Sequence, residues 1–178
     1  MTVPVFVICG ATATGKSDLA VALARKIDGE IINADSMQLY KGMDIGTAKL
    51  TFEERGGITH HLIDRLEITE EASVAQYQVE ARAIIDSATK PMVIVGGTGL
   101  YIKSIIDELN FPDTDPQVRD RLSVEGEELG AKVMHERLSK LDPAAAKAIP
   151  MENLRRVVRA LEVIRSEEHT SELQSRET

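Results

Sequence analysis

Apolar positions in the first hundred residues fall into short runs punctuated by glycine, whereas those that follow recur at helical spacing. Val3 to Cys9 has the length of a strand, and Asp18 to Ile27 is apolar-periodic, with Leu19, Leu23 and Ile27 predicted on its buried side and a stop at Gly29. Glu30 to Ala34 reads as a second strand that ends on Asp35. Strand, helix and strand in that order predict a βαβ unit, hence a parallel sheet with a right-handed crossover. Ligands of such sheets sit beyond the carboxyl ends of the strands.

His60 to Asp64 predicts a third short strand. Its adjacent histidines point to opposite sides and do not suit one metal ion, and Asp64 could pass for the acidic end of a magnesium-holding strand. Ser73-Val-Ala-Gln76 predicts a capping box opening a helix to about Thr89, with Val74, Tyr77, Ala81, Ile84, Ile85 and Ala88 on its core face. Met92 to Val95 reads as a fully buried strand running into Gly96-Gly-Thr-Gly99 and a helix from Leu100 to Ile106. From Asn110 to Pro116 the chain reads as a linker, with Asp115 a helix cap and Pro116 the first helical residue. Helices are then expected over Pro116 to Glu125, Glu127 to Leu141 and Pro143 to Ile149, the second burying Leu129, Val133, Met134, Leu138 and Leu141. Asn153 caps a last helix, Leu154 to Ile164. Its buried face is Leu154, Val157, Val158, Leu161 and Ile164, with Arg155, Arg156, Arg159 and Glu162 turned away. No strand pattern follows Asn110, so this part is a helical addition to the α/β core.

Between the first strand and helix stands Gly10-Ala-Thr-Ala-Thr-Gly-Lys-Ser17, which fits the phosphate-loop pattern G-x-x-x-x-G-K-[ST] in its proper context. Gly10 and Gly15 let successive amides approach phosphate oxygens, and the following helix adds its positive end. Lys16 would neutralise the outer phosphates, and Ser17 would offer a hydroxyl to magnesium. Asp35 could be a general base, an outer magnesium ligand or a helix cap. The polar, glycine-containing stretch Asp35 to Lys49 reads as a functional loop. The second glycine turn brings Thr98 to the same rim.

Composition alters this picture little. The chain has 178 residues, 43% of them hydrophobic, enough for one sizeable core. No apolar run approaches a membrane span and no signal segment opens the chain, so no membrane association and a cytoplasmic location are expected. The single Cys9 is predicted to be a buried, inert thiol. A net charge of -8 argues against whole-surface attraction to nucleic acid, though a local basic patch can still bind it. The run from Arg165 reads as translated sequencing adapter; Ser166 to Thr178 carries -3 and leaves -5 for the rest. Arg155, Arg156 and Arg159 form either a solvated face or an anion-binding one.

Five blocks together resemble the tRNA isopentenyltransferase (tRNA dimethylallyltransferase) family: Gly10 to Ser17, Asn33 to Lys49, His60 to Asp64, Val95 to Tyr101 and Arg155 to Val163. The resemblance runs from residue 3 to about 164. It implies a P-loop NTPase-like parallel sheet flanked by helices, with a partial helical insertion. The segments would be a core over residues 1–112, an insertion over 113–164 and an artefactual tail over 165–178. The implied reaction transfers a dimethylallyl group from dimethylallyl diphosphate to N6 of the adenosine 3′ to the anticodon, with magnesium assisting.

By the same resemblance Gly10, Ala11, Thr12, Ala13, Thr14, Gly15, Lys16 and Ser17 hold the diphosphate, and Asp35 is the general base. Lys16, Thr98 and Arg119 join it as catalytic residues. Asp35, Ser36, Met37, Gln38, Thr98, Arg119, Arg121, Arg155, Arg156, Val157, Val158 and Arg159 meet the anticodon stem-loop of tRNA. A monomer is expected. The resemblance ends near Ile164, which predicts a chain cut short, poorly folded and weakly active or inactive. Rival functions are a small-molecule kinase using ATP, a prenyltransferase acting on free adenine nucleotides, and a binding remnant.

Overall fold

The computed structural model describes residues 3–112 and 115–176, in two compact units that divide between Asn110 and Phe111. Asp113 and Thr114 of the expected linker, and Glu177 and Thr178 of the tail, lie outside the described residues.

The first unit contains β1 (Val5–Cys9), α1 (Lys16–Ile27), β2 (Glu30–Asn33), a 3₁₀ turn (Met37–Leu39), β3 (His60–His61), α2 (Val74–Ser87), β4 (Met92–Gly96) and α3 (Gly99–Ile106). Its four strands are parallel in the order β1-β4-β2-β3. Alternation along the central strands sorts their side chains between two faces. Ile31 and Val93 pack with Ala20, Val21 and Ala24 of α1, while Ile32, Met92 and Ile94 pack with Tyr77 and Ala81 of α2 and with Tyr101, Ile102 and Ile105 of α3. Each fully buried Ile or Val contributes about 2 kcal/mol of transfer free energy.

Several expectations shift in this unit. In α1 the buried residues are Ala20, Val21 and Ala24, and Leu19 is exposed; small side chains let the helix lie close to the sheet. Cys9 is exposed, because β1 pairs only with β4 among the described strands and Val5, Phe6 and Val7 stand open beside it. The third strand ends at His61, since Leu62 and Asp64 adopt positive φ and break the extended run. In the capping box, Ser73 Oγ accepts from Gln76 N–H at 3.4 Å, but the Gln76 side chain turns to Glu80.

Gly96 has a strict reason to be glycine. A Cβ there would fall 2.1 Å from the Ala34 carbonyl oxygen, so the carboxyl ends of β2 and β4 could not approach as they do.

The second unit is helical: α4 (Pro116–Leu129), α5 (Ala131–Leu141), α6 (Pro143–Ala148) and α7 (Leu154–Arg176). Leu122, Met134, Leu138, Ala146, Val157, Val158 and Leu161 form its core. The α4–α5 break is at Gly130, with φ 82°, and not at Gly126, which stays helical. Lacking a side chain, Gly126 admits Leu154 to within 3.0 Å of where a Cβ would stand. The break moves the stripe as well: Leu129, Val133 and Leu141 are exposed, and Met134 and Leu138 alone of the five are buried. Asp115, Asp142 and Asn153 cap α4, α6 and α7 through backbone N–H groups, as their positions before each helix require.

Among the described residues, no helix is long and apolar enough to cross a membrane.

Candidate active site

The loop after β1 turns back on itself before α1 begins. Thr14 Oγ1 donates to the Ala11 carbonyl at 2.8 Å, and Lys16 Nζ donates to the same carbonyl. Gly15, at φ 77°, occupies the cap position of α1, where a left-handed residue is needed and a side chain would be strained. The first amides of α1 therefore open onto the space beyond the strands.

That space is a cavity of about 400 Å³. Thr12 to Asp18 form one wall, Asn33, Asp35 and Gln38 a second, and Thr47, Ala48 and Leu50 a third, with Val95 and Gly96 from β4. The phosphate loop and Asp35 thus share one cavity, at the carboxyl end of the sheet.

Asp35 is half-buried and sits where β2 gives way to the 3₁₀ turn. Its Oδ1 accepts from Met37 N–H at 2.9 Å, a local turn bond one residue before Ser36, which holds the cap position of the 3₁₀ turn, and Asp35 still lines the cavity. Thr98 stitches the two strand ends together: its N–H donates to Ala34 O at 3.2 Å, and its Oγ1 accepts from Ser36 N–H at 3.1 Å. Ser36 and Thr98 stand next to the cavity lining, and Met37 points to solvent.

The third wall was not foreseen residue by residue. Lys49, with a side chain 3% exposed, donates to Tyr40 O and to the carboxylates of Asp44 and Asp64 at 2.6–2.8 Å. Burial alone would lower its pKa, but the hydrogen bonds to the two carboxylates outweigh that and raise it. The ammonium therefore stays charged and pins the loop. Gln38 Nε2 bonds Thr47 O at 2.9 Å and closes the wall. Asp64 is committed to Lys49 and Arg55 and lies outside the cavity lining, which removes it as a magnesium ligand there.

His60 Nδ1 lies 2.9 Å from Ile58 O, and burial pushes its pKa down. His61 Nε2 is 2.6 Å from Glu30. Among the described residues, no cluster of three or more His, Cys, Asp or Glu side chains could hold a metal ion.

A family model described as IPP transferase matches residues 38–178. The chain belongs to the IPP transferase family. Among its relatives, the tRNA dimethylallyltransferase of Thermobifida fusca is 58% identical over 168 residues, which cover 90% of this chain and 53% of that protein. A Streptomyces griseus protein of the same name is 57% identical, with 90% and 52% coverage. Among solved structures, the full-length tRNA isopentenylpyrophosphate transferase from Bacillus halodurans is 44% identical, with a TM-score of 0.60 over 91% of this chain and 55% of that one. A eukaryotic dimethylallyltransferase acting on tRNA is 33% identical, with a TM-score of 0.74 over 88% and 40%. The chain thus spans about half the length of the relatives it matches.

In this member of the IPP transferase family, the other expected tRNA-contacting residues all lie in the helical unit. Val157 and Val158 are buried in its core, so their side chains pack against neighbouring helices and do not reach its surface. Arg155 and Arg156 are exposed, as is Arg121, whose Nε bonds Gln117 O at 3.1 Å. Glu162, expected on the open side, is instead fully buried. It accepts from Arg119 Nε at 2.9 Å and from Asp115 N–H at 3.0 Å, and it pairs with Arg159 at 2.9 Å. Burial by itself would raise the Glu162 pKa, but the two guanidinium groups outweigh it and hold the carboxyl below its ordinary 4.5. Arg159 is three positions away, but the other two partners, Arg119 and Asp115, stand 43 and 47 positions away, so little in the local sequence marks this residue.

Proposed function

We propose that the chain carries the donor-binding, base-bearing part of a dimethylallyltransferase that modifies N6 of the adenosine 3′ to the anticodon of tRNA. The observation that supports this most is the shared cavity, which sets a phosphate cradle and the Asp35 carboxylate at the same strand ends. The amides from Thr12 to Ser17, with Lys16, would hold the diphosphate of dimethylallyl diphosphate. As the C1–O bond of the donor breaks, those groups stabilise the charge gathering on departing pyrophosphate. The N6 lone pair forms the new bond to C1. Because that amine is delocalised into the adenine ring, loss of its proton to Asp35 assists the attack.

Thr98 would hold the Asp35–Ser36 turn open to the base, which must be flipped from its stack to arrive. Arg119, Arg121, Arg155, Arg156 and Arg159 would meet the anticodon stem-loop. Ser17, the hydroxyl after Lys16, suits a magnesium ion that arrives with the diphosphate and keeps most of its waters. Bound there, magnesium would supply charge neutralisation on the leaving group. The proposal takes the protein to be a monomer in the cytoplasm.

Single-turnover transfer from labelled dimethylallyl diphosphate to an anticodon stem-loop, with the purified chain in excess, tests this. Slow prenylation at N6 is expected from a chain of this length, with a loss of about 10²–10⁴-fold in Asp35→Asn and donor affinity largely retained. Phosphate transfer from ATP without prenyl transfer would favour a kinase, and modification of free nucleotides alone would favour the nucleotide prenyltransferase. An Asp35→Asn variant as active as the parent would remove the base.

A further inference from the structure

Asn33, the last residue of β2, is 3% exposed and makes more hydrogen bonds than any side chain beside it in the cavity wall. Its Nδ2 donates to Leu62 O at 2.8 Å and to Asp35 O at 3.0 Å. Its Oδ1 accepts from Asp35 N–H at 3.1 Å. The Asn33 carbonyl in turn accepts from the Tyr77 hydroxyl at 2.8 Å, and the Tyr77 ring stacks on Tyr101 with centroids 4.4 Å apart. Both amide hydrogens are spent inside the protein, so the side chain has no donor left for a ligand.

The result is a grip on both main-chain polar groups of Asp35. With its backbone held by Asn33 and its Oδ1 by Met37 N–H, the carboxylate is aimed, and no described residue donates to Oδ2. The second donated bond, to Leu62, anchors that grip to the segment leaving β3, 29 residues away in sequence.

We propose that Asn33 is the positioning residue for Asp35, an inference that rests on Asp35 being the proton acceptor proposed above. A general base must stand within about 2.6–3.2 Å of the proton it takes, so a small drift of the strand-to-turn backbone is enough to spoil the transfer. Removing the amide would leave the Leu62 carbonyl and both Asp35 backbone groups without their partner. The expected damage therefore falls on turnover and not on donor affinity, because the phosphate loop hangs from β1 and makes no hydrogen bond to Asn33.

The test is a double-mutant cycle in single-turnover prenyl transfer, using Asn33→Ala, Asp35→Asn and the pair, with thermal midpoints measured alongside. Asn33→Ser, which keeps one small hydroxyl, is read in place of Asn33→Ala if the latter does not fold. The expected result is a fall of about 10–100-fold in the transfer rate, the scale of a misplaced catalytic group, with donor affinity unchanged within about threefold. In the Asp35→Asn background the same substitution should cause no further loss. Equal losses in the two backgrounds would overturn the positioning role, as would a folded Asn33 variant with the parent rate. If Asp35→Asn itself keeps full turnover, the base assignment falls and takes the positioning role with it. An inactive Asp35→Asn beside a fully active Asn33→Ser sinks the positioning role alone.

Discussion

Asn33 in the α/β unit and Glu162 in the helical unit are each buried beside residues of functional interest, and the two are satisfied by opposite means. In the α/β unit the group is neutral. Asn33 is satisfied by main chain, and the cavity beside it is lined mostly by short side chains and glycine. In the helical unit it is charged: Glu162 is satisfied chiefly by two long guanidinium side chains. A main-chain site is exact and intolerant of volume, while a site of long charged side chains is held only as long as its counter-charge remains.

The largest effect should come from removing that counter-charge. Glu162→Ala leaves Arg119 and Arg159 facing each other across a vacated carboxylate and strips Asp115 N–H of its acceptor. Breaking a buried pair costs about 3–5 kcal/mol; because both guanidinium groups reach solvent, about 2–4 kcal/mol is expected here. Urea unfolding of the chain measures it, and a loss under about 0.5 kcal/mol, the level of an ordinary surface substitution, would show that Glu162 is not the pivot.

The next tests the main-chain side of the comparison. Gly96→Ala puts a methyl 2.1 Å from Ala34 O, where the atoms it meets are all Ala34 backbone and cannot rotate away. Overpacking of this kind costs about 1–3 kcal/mol. On the proposed function it should also weaken donor binding and transfer together, since the same contact sets Asp35 and Thr98. A variant with parental stability and turnover would show that the strand ends have slack.

These two residues also show what could be read in advance. The phosphate loop, the central strands, the caps at Asp115 and Asn153 and the Asp35 turn are legible because each depends on neighbours within a few positions. Asn33, Lys49 and Glu162 were missed as organising groups because their partners lie up to 47 residues off, and a polar residue carries no local mark of burial. Cys9 and Leu19 were misplaced for a different reason. Whether a strand is central or at an edge, and how closely a helix approaches it, are properties of the sheet as a whole. The apolar run Val3 to Cys9 has the same composition either way.

Acid should separate the units. Burial lowers the His60 pKa below its ordinary 6.5, so the unfolded chain takes up that proton first. Stability contributed by neutral His60 is complete above about pH 6.5 and declines as pH falls through the window beneath it. Glu162, held below 4.5 by Arg119 and Arg159 against the opposing pull of burial, contributes fully above that value and is lost only as pH falls through its depressed pKa. Thermal midpoints should therefore drop in two stages. His60→Gln should remove the upper stage and Glu162→Gln the lower; a single stage insensitive to both would merge the units.

The smallest expected effect concerns arginines on the same helix that differ in how they are held. Arg159 is tied to Glu162 and to Pro112 O at 2.9 Å, whereas Arg155 and Arg156 are exposed, with no carboxylate partner among the described residues. An exposed guanidinium that meets a phosphate acts mainly by releasing counterions, so its removal should weaken RNA uniformly and leave selectivity intact. Arg156→Ala should lower affinity for an anticodon stem-loop less than about tenfold and reduce the slope of log affinity against log salt by about 0.7–0.9. Donor binding should not change. Lys16→Ala should do the reverse, weakening diphosphate binding while the salt dependence of RNA binding stays put. A titration series from low to moderate salt reads both. If Arg156→Ala leaves the slope untouched, the exposed arginines are a solvated face after all, and the proposed RNA contact at Arg155 and Arg156 falls.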